Sequence, residues 1–533
     1  MAARIFSIPP SADFSRELIA ALVDGRLIEG FRPLDDPLLL SDVTLYLPTR
    51  RAARALPALV QEMFGGRPVL LPRIRPLGDA DEDLQLLSAP GDGEALPPEL
   101  PPLERKLAMT RLVMGWKAAL RRQVLALGED EPLGLPASAA DAAWLAGDLI
   151  TLMDELETEE ADWSALASLV PEDHARYWQV TLEFLDIVRL AWPAYLTECG
   201  AMDPKARRSA LIRREAERLR LNPPEGPVIA AGSTGTVPAT AELLKAIADL
   251  PLGAIALPGL DMRMDDASWS ALGRAPQRRG TAGKAALPQD EPSANGHPQY
   301  GLKQLLDRLG VDRHEVTPLC PPETPQLAAR EALVSEALRP VSTTDAWTSF
   351  LQQTPAEERK AALDGVELVI ARNEAEEALS LAIALREAVE RGGTAALVSP
   401  DRLLARRVAE ELGRWNITVD DSAGRPLDQT PPAVLAMLAA RLALEGCAPL
   451  DLLALLKHPL ARLGLETKDI RSAARSLERG VLRGPAPKFG SRGLPDAIAA
   501  ARLAAEDAHT PRWKKLVEED WAAVSDLANR LIA

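Results

Sequence analysis

Two kinds of residue in this sequence could do chemistry at a phosphate. The first is the stretch "VIAAGSTGTVPATAELL", residues 228 to 244, where an apolar run ends at Ala231 and a helix is expected from about Pro238. Between them lie Gly232, Ser233, Thr234, Gly235 and Thr236. Hydroxyls and backbone N–H groups in such a turn could hydrogen-bond a DNA phosphate or a base edge, or cradle a nucleotide phosphate. The plain alternative is a glycine turn with Thr236 capping the next helix. The second kind is arginine. "PTRRAARAL" sets Arg50, Arg51 and Arg54 at a strand-to-helix turn, where helix amides would help to hold an anion. Arg73 and Arg75 flank a strand end, and "SPDRLLARR" puts Arg402, Arg406 and Arg407 at a corresponding turn later in the chain. Solvated arginine is the ordinary reading of any one of them. Two such turns in two α/β units point to a shared strand of nucleic acid.

Other motifs fail on inspection. A phosphate loop needs GxxxxGK[ST], and the first strand instead leads into "IPPSADFSRE", with neither glycine nor lysine and with two prolines that lack an N–H. Gly283-Lys284 is followed by Ala. "LITLMDELE", 149 to 157, mimics a Walker B strand, but its leucines keep helical spacing. "PLDLLALLKHPLARLGLETK", 449 to 468, mimics a nuclease motif through Asp451, Glu466 and Lys468, yet it is Leu-rich at helical period and broken by Pro459. A metal-dependent site would need those carboxylates on adjoining strands. Three distant cysteines and five scattered histidines give no zinc or disulfide pattern.

These residues need a frame to position them. At 533 residues the chain exceeds what one core supports, so several domains are expected. "ARIFSI", "DVTLYLP" and "PVLLPRIRPL" read as strands, with helices from about Phe14 to Val23 and after Pro48. Strand signals vanish from Pro102 to about Leu221, and "GPVIAAGSTG" and "GAIALPGLD" bring them back. Residues 3 to 77 and 226 to 262 are therefore expected to share one parallel sheet around a helical insertion. Residues 365 to 422 alternate strand, helix, strand, helix, strand, and a helical pattern follows. The net charge of -16 argues against indiscriminate coating of nucleic acid. No run approaches a bilayer span, so a cytoplasmic protein with no membrane partner is expected.

Taken together, "DVTLYLPTRRAARAL", "LPRIRPLGD", "DELETEEADWSAL", "GPVIAAGSTGTVPAT", "HPQYGLKQLLDRLG", "EALRPVSTTDAW", "TAALVSPDRLLARRVAEEL", "VDDSAGRPLDQTP" and "LLALLKHPLARLG" resemble the AddB family, in the form lacking an ATP site. AddB proteins are the second subunits of AddAB helicase–nucleases, and the similarity runs across essentially the whole chain. It implies RecA-like parallel-sheet domains of the UvrD/Rep type with large helical insertions. Residues 1–100 and 222–270 would form the first, discontinuous RecA-like domain, 101–221 the helical insertion and 271–296 a flexible loop. Residues 297–363 would be a helical bridge, 364–430 the start of a second RecA-like domain and 431–533 a truncated helical region.

The resemblance further implies a DNA-binding, helicase-like subunit that processes double-strand DNA ends for recombinational repair. Its partners would be an AddA-like motor subunit and single- or double-stranded DNA ends. The DNA-binding candidates are Arg50, Arg51, Arg54, Arg73, Ser233, Thr234, Thr236, Arg402 and Arg406. Full-length members carry a carboxyl-terminal nuclease domain around an iron–sulfur cluster, and the chain is expected to end before it. No cofactor, metal or catalytic residue is therefore expected here. Competing readings are a scaffold for the motor subunit and an α/β enzyme using a phosphorylated small molecule at "AGSTGT", with Asp261 as its acid or base. The prolines after the first strand make a direct prediction: the purified chain alone should hydrolyse no ATP. DNA-stimulated turnover that survives rigorous purification would contradict it.

Overall fold

A computed structural model describes residues 3–77, 96–119, 138–161, 163, 181–182, 184–272, 296–424, 426–446, 448–488, 493–507 and 509–532. They fall into two compact units, 1–366 and 367–533. The first is built on six parallel strands: β1 (Ile5–Ile8), β2 (Thr44–Leu47), β3 (Arg73–Pro76), β4 (Val228–Ala231), β5 (Gly253–Pro258) and β6 (Thr317–Pro318). Their order across the sheet is β3-β2-β4-β5-β1-β6. As expected, "VIAA" and "TLYL" lie in one sheet; they pair directly, in the register Thr44↔Val228 and Tyr46↔Ala230. The sequence-distant β4 and β5 thus stand between β2 and β1, and the α/β body is discontinuous.

Every residue of β2 and β4 is buried. A parallel sheet covered on both faces requires this. Side chains alternate between two cores. Leu45, Leu47, Ile229, Ala231, Ala254 and Ala256 face helices α1 (Phe14–Val23) and α2 (Arg50–Met63). Tyr46, Val228, Ala230, Ile255 and Leu257 face the opposite layer.

The insertion begins with α3 (Pro102–Ala119) and α4 (Ala139–Glu159). It continues through α5 (Trp192–Cys199) and ends in α6 (Pro204–Leu221). Ser138 and Asp141 form a reciprocal cap at the start of α4, and "LITLMDELE" lies inside that helix, as its period predicted. Arg105 is buried and pairs with Asp154 at 2.6 Å and Asp203 at 2.8 Å, while the Trp192 indole donates to Asp203 at 3.2 Å. The layer over the sheet adds α7 (Pro238–Ala248), α8 (Asp266–Leu272) and α9 (Tyr300–Leu309) to α6. α10 (Pro325–Ala337), α11 (Trp347–Gln353) and α12 (Ala356–Ala362) complete the unit. The bridge expected over 297–363 is mostly helical, with irregular connections and with β6, which joins the sheet beside β1. Most of the loop at 271–296 lies outside the described residues, as do Gly283 and Lys284.

The second unit departs from expectation. The two helices of the βαβαβ pattern form as α13 (Glu374–Glu390) and α14 (Arg402–Gly413), packed through Ala378, Ala382, Val408 and Leu412. The three apolar runs around them do not form strands. Leu368 and Ile370 are each 86% exposed and Val398 94%, so no partner backbone or covering layer reaches them. Alternation marks a segment able to enter a sheet; pairing is a tertiary event, and none occurs here among the described residues. After these come α15 (Pro431–Glu445), α16 (Pro449–Lys457), α17 (Thr467–Leu477), α18 (Gly493–Ala505) and α19 (Glu518–Ile532), around a core that includes Leu452, Ile470, Leu477, Trp521 and Leu527. Asp451 sits in the first turn of α16 and pairs with Arg441 at 3.2 Å; the nuclease-like string is helical over Pro449–Lys457 and leaves the helix before Glu466.

A buried carboxylate joins the insertion to the sheet. Glu215 of α6 is buried and accepts from the Tyr46 hydroxyl, from Arg75 at 3.0 Å and from Arg218 at 2.7 and 2.8 Å. Burial, followed by the neighbouring Glu215 charge, pushes the Tyr46 phenol well above its ordinary value. Its protonated form is favoured by folding, so this contribution is full below about pH 10 and is lost as pH rises beyond that. Glu215→Ala should destabilise the first unit by about 3 kcal/mol, because two arginines lose their shared anion. Tyr46→Phe should cost about 1.5 kcal/mol at neutral pH and remove one step of alkaline destabilisation. Urea unfolding at pH 7 and above pH 10 checks both, and an unchanged alkaline profile in Tyr46→Phe would refute the assignment.

Candidate nucleic-acid interface

The sheet has a topological switch between β2 and β4. From β2 the chain leaves through α2 toward β3 at one edge; from β4 it leaves through α7 toward β5 in the other direction. The two helices also pack on opposite faces of the sheet. Loops that diverge in this way leave a crevice at the carboxyl ends of their strands, where open α/β sheets place ligands.

One wall of the crevice is the start of α2. Thr49 is the N-cap, its hydroxyl accepting from the Ala52 N–H at 3.2 Å. Arg50 and Arg51 follow as the first two helical residues, Arg50 half-buried and Arg51 exposed, with Arg54 exposed one turn on. No acidic residue occupies this first turn. Positive charge at a helix's positive end is unfavourable by a few tenths of a kcal/mol or more per residue, and an anion placed there would relieve it.

The other wall is the turn after β4. Gly232 and Gly235 adopt φ values of 76° and 60°, in the left-handed region. The Gly235 N–H donates to the Ser233 hydroxyl at 3.3 Å. A Cβ on Gly232 would lie 3.3 Å from the Phe14 ring and 3.4 Å from Pro48. The backbone of this turn therefore sits directly against the residue that leads into Thr49, Arg50 and Arg51. Ser233 and Thr234 are half-buried and Thr236 is exposed. The capping role considered for Thr236 does not occur: the N-cap of α7 is Val237, without a side-chain cap, and Pro238 opens the helix. Thr236 packs its methyl toward Gly301, where a Cβ would lie 2.6 Å away.

The remaining candidates lie elsewhere. Arg73 is exposed at the first position of β3, opposite Thr44 at the start of β2, so it belongs to the amino-terminal edge and not to this crevice. Arg75 turns inward to Glu215. In the second unit Arg402 makes two bonds to Asp421, at 3.1 and 2.7 Å, and that partner raises its pKa. Arg406 pairs with Glu410 at 3.3 Å and Arg407 with Glu374. These arginines carry their own carboxylates.

Two further positions speak to the competing readings. At the β1–α1 turn the Ser11 hydroxyl and N–H donate to Glu331 at 2.5 and 3.3 Å, and Asp13 caps α1. A carboxylate of the chain itself takes the donors that a nucleotide phosphate would need. Asp261 accepts through Oδ1 from the N–H groups of Arg263 at 2.8 Å and Met264 at 3.0 Å, which holds it in a turn. Among the described residues no three His, Cys, Asp or Glu side chains gather as metal ligands, and no helix is long and apolar enough to cross a membrane. Sequence reasoning missed Phe14 and Gln299. Gln299 accepts from the Asp261 N–H at 2.9 Å and donates to the Gly259 carbonyl at 2.9 Å, fixing the turn after β5.

Gly232 gives a direct test of this geometry. Gly232→Ala forces a Cβ into the left-handed region and against Pro48, and should cost about 1–2 kcal/mol. Ser233→Ala removes one half-buried bond and should cost about 1 kcal/mol or less. Denaturant midpoints for the two variants check the difference; equal midpoints would mean that the two turns do not meet. No protein-family model matches the chain and neither does any curated protein, so what it does must be read from its residues and their geometry.

Proposed function

We propose that the chain is a DNA-binding, helicase-like subunit, without ATPase activity of its own, of an AddAB-type helicase–nuclease that processes double-strand DNA ends. The observation that carries this reading is the meeting of the Arg50–Arg51 helix start and the Gly232–Thr236 turn across the β2/β4 switch. Gly232 stands against Pro48, so a cationic helix start and a hydroxyl-bearing turn are neighbours there, and groups of these kinds hold a nucleic-acid backbone. The string resemblance to AddB supports the choice of DNA over another polyanion, and an AddA-like motor subunit is the partner it implies. The carboxylate of Glu331 at the first βα turn supports the absence of a nucleotide site.

Each arginine that neutralises a phosphate releases counterions on binding. Losing one should flatten the salt dependence of affinity by about 0.7 to 1 in slope. Single-stranded DNA affinity is to be measured over a salt series for the parent chain and for Arg50→Ala with Arg51→Ala. A shallower slope with an unchanged unfolding curve supports the site. Superimposable slopes would refute it, whatever the absolute affinities.

A further inference from the structure

The helical part of the second unit holds a basic–aromatic surface that the β2/β4 crevice does not involve. Trp513 lies in a short turn, Arg512–Lys514, and is 46% exposed. The Arg483 guanidinium stands 5.6 Å from its ring centroid and the Lys514 ammonium 5.3 Å. The segment after this turn is packed on the helical turn Glu478–Leu482, since a Cβ on Gly480 would lie 2.6 Å from Leu516 and 3.4 Å from Trp521. The indole is thus presented from a fixed backbone.

The turn itself is basic, although Glu506 and Asp507 precede it and Glu518, Glu519 and Asp520 follow it. Residues 478–488 and 509–516 contain Arg479, Arg483, Lys488, Arg512, Lys514 and Lys515 against the single acid Glu478, in a protein of net charge -16. Glu478 is taken by Lys457 and Arg483, each at 3.0 Å, and Arg479 is 3.5 Å from Asp520. Lys515 donates to the Asp507 carbonyl at 2.9 Å. Among the described residues Arg512 and Lys514 have no carboxylate partner. Cations alone would suit any polyanion. An exposed indole among them adds a flat apolar face, which an acidic peptide does not use and an unpaired base does.

We propose that this surface is a second, independent nucleic-acid site, which takes single-stranded nucleic acid by stacking a base on Trp513 while Arg512 and Lys514 hold the flanking phosphates. Duplex DNA offers no free base face and engages it only through charge. The test uses the full chain in the Arg50→Ala, Arg51→Ala background, so that failure of the crevice does not decide this one. Probes are a twenty-residue oligo-dT, the same backbone without bases, and poly-glutamate of similar length. Trp513→Ala should weaken oligo-dT binding about tenfold while Trp513→Phe keeps most of it. The abasic probe should bind more weakly than oligo-dT and be indifferent to both changes. Arg512→Ala should lower the salt slope by about 0.7 for either nucleic-acid probe. Equal binding of oligo-dT and abasic strand by the parent overturns the proposal without any variant, which covers a Trp513→Ala chain that does not fold. Poly-glutamate binding with the same dependence on Trp513 would overturn it in favour of an acidic protein partner.

Discussion

The carboxylate of Glu215 is the interaction on which the first unit depends. It sits out of water, where an ion without partners would cost several kcal/mol, and its bonds come from three separate places in the sequence. Tyr46 belongs to β2, Arg75 to β3 and Arg218 to Glu215's own helix, one turn on. The helical insertion therefore returns to the sheet at one angle and register, because only there are the donors collected. α6 ends at Leu221 and β4 begins at Val228, so the docking of that helix delivers β4 beside β2. The crevice between β2 and β4 follows from this docking. An insertion that leaves the fold and re-enters it needs such a fixed point, and apolar packing alone would tolerate a slip along the helix.

The electrostatics of the crevice break a local rule kept elsewhere. α13 opens with Asn373 as cap and Glu374, Glu376 and Glu377 in its first turn, the charge sign that suits a helix start. α2 has a sound cap in Thr49 but follows it with Arg50 and Arg51. Natural sequences give up local stability of this kind mainly where a site demands it. The Arg402 turn looks similar in sequence, and there Asp421 folds back onto the guanidinium.

What could be read from the sequence was local. The buried strands "TLYL" and "VIAA", the first helix at Phe14 and the helical character of "LITLMDELE" and of Pro449–Lys457 were legible, because each rests on period and flanking residues. The shared parallel sheet was legible too, since strands that resume after a helical stretch have few other places to go. β6 was not: two residues, Thr317 and Pro318, carry no alternation. Glu215 was not, because "RREAERLR" reads as a solvated helix face until the sheet is laid against it. The runs at 366–371 and 394–399 have strand composition but no ladder, and no property of those residues foretells that. Arg73 shows the limit for sites: being near a strand end was legible, but which end of the sheet it marks depends on register.

The chain's overall acidity constrains how any of this surface can meet DNA. A body of net charge -16 repels a polyanion at long range, while the arginines and lysines singled out here attract it only once they are near. At about 0.1 M salt the screening length is roughly 10 Å, so the repulsion from the rest of the body is damped and the local cations are not, being in contact with phosphate. At much lower salt both terms extend and oppose each other. Encounter is then slowed although the contact itself is strengthened, unlike the behaviour of a uniformly basic protein. On the proposed function, a partner that captured DNA first and handed it over at short range would ease this encounter, and the acidic body would discourage coating of nucleic acid that no partner has presented.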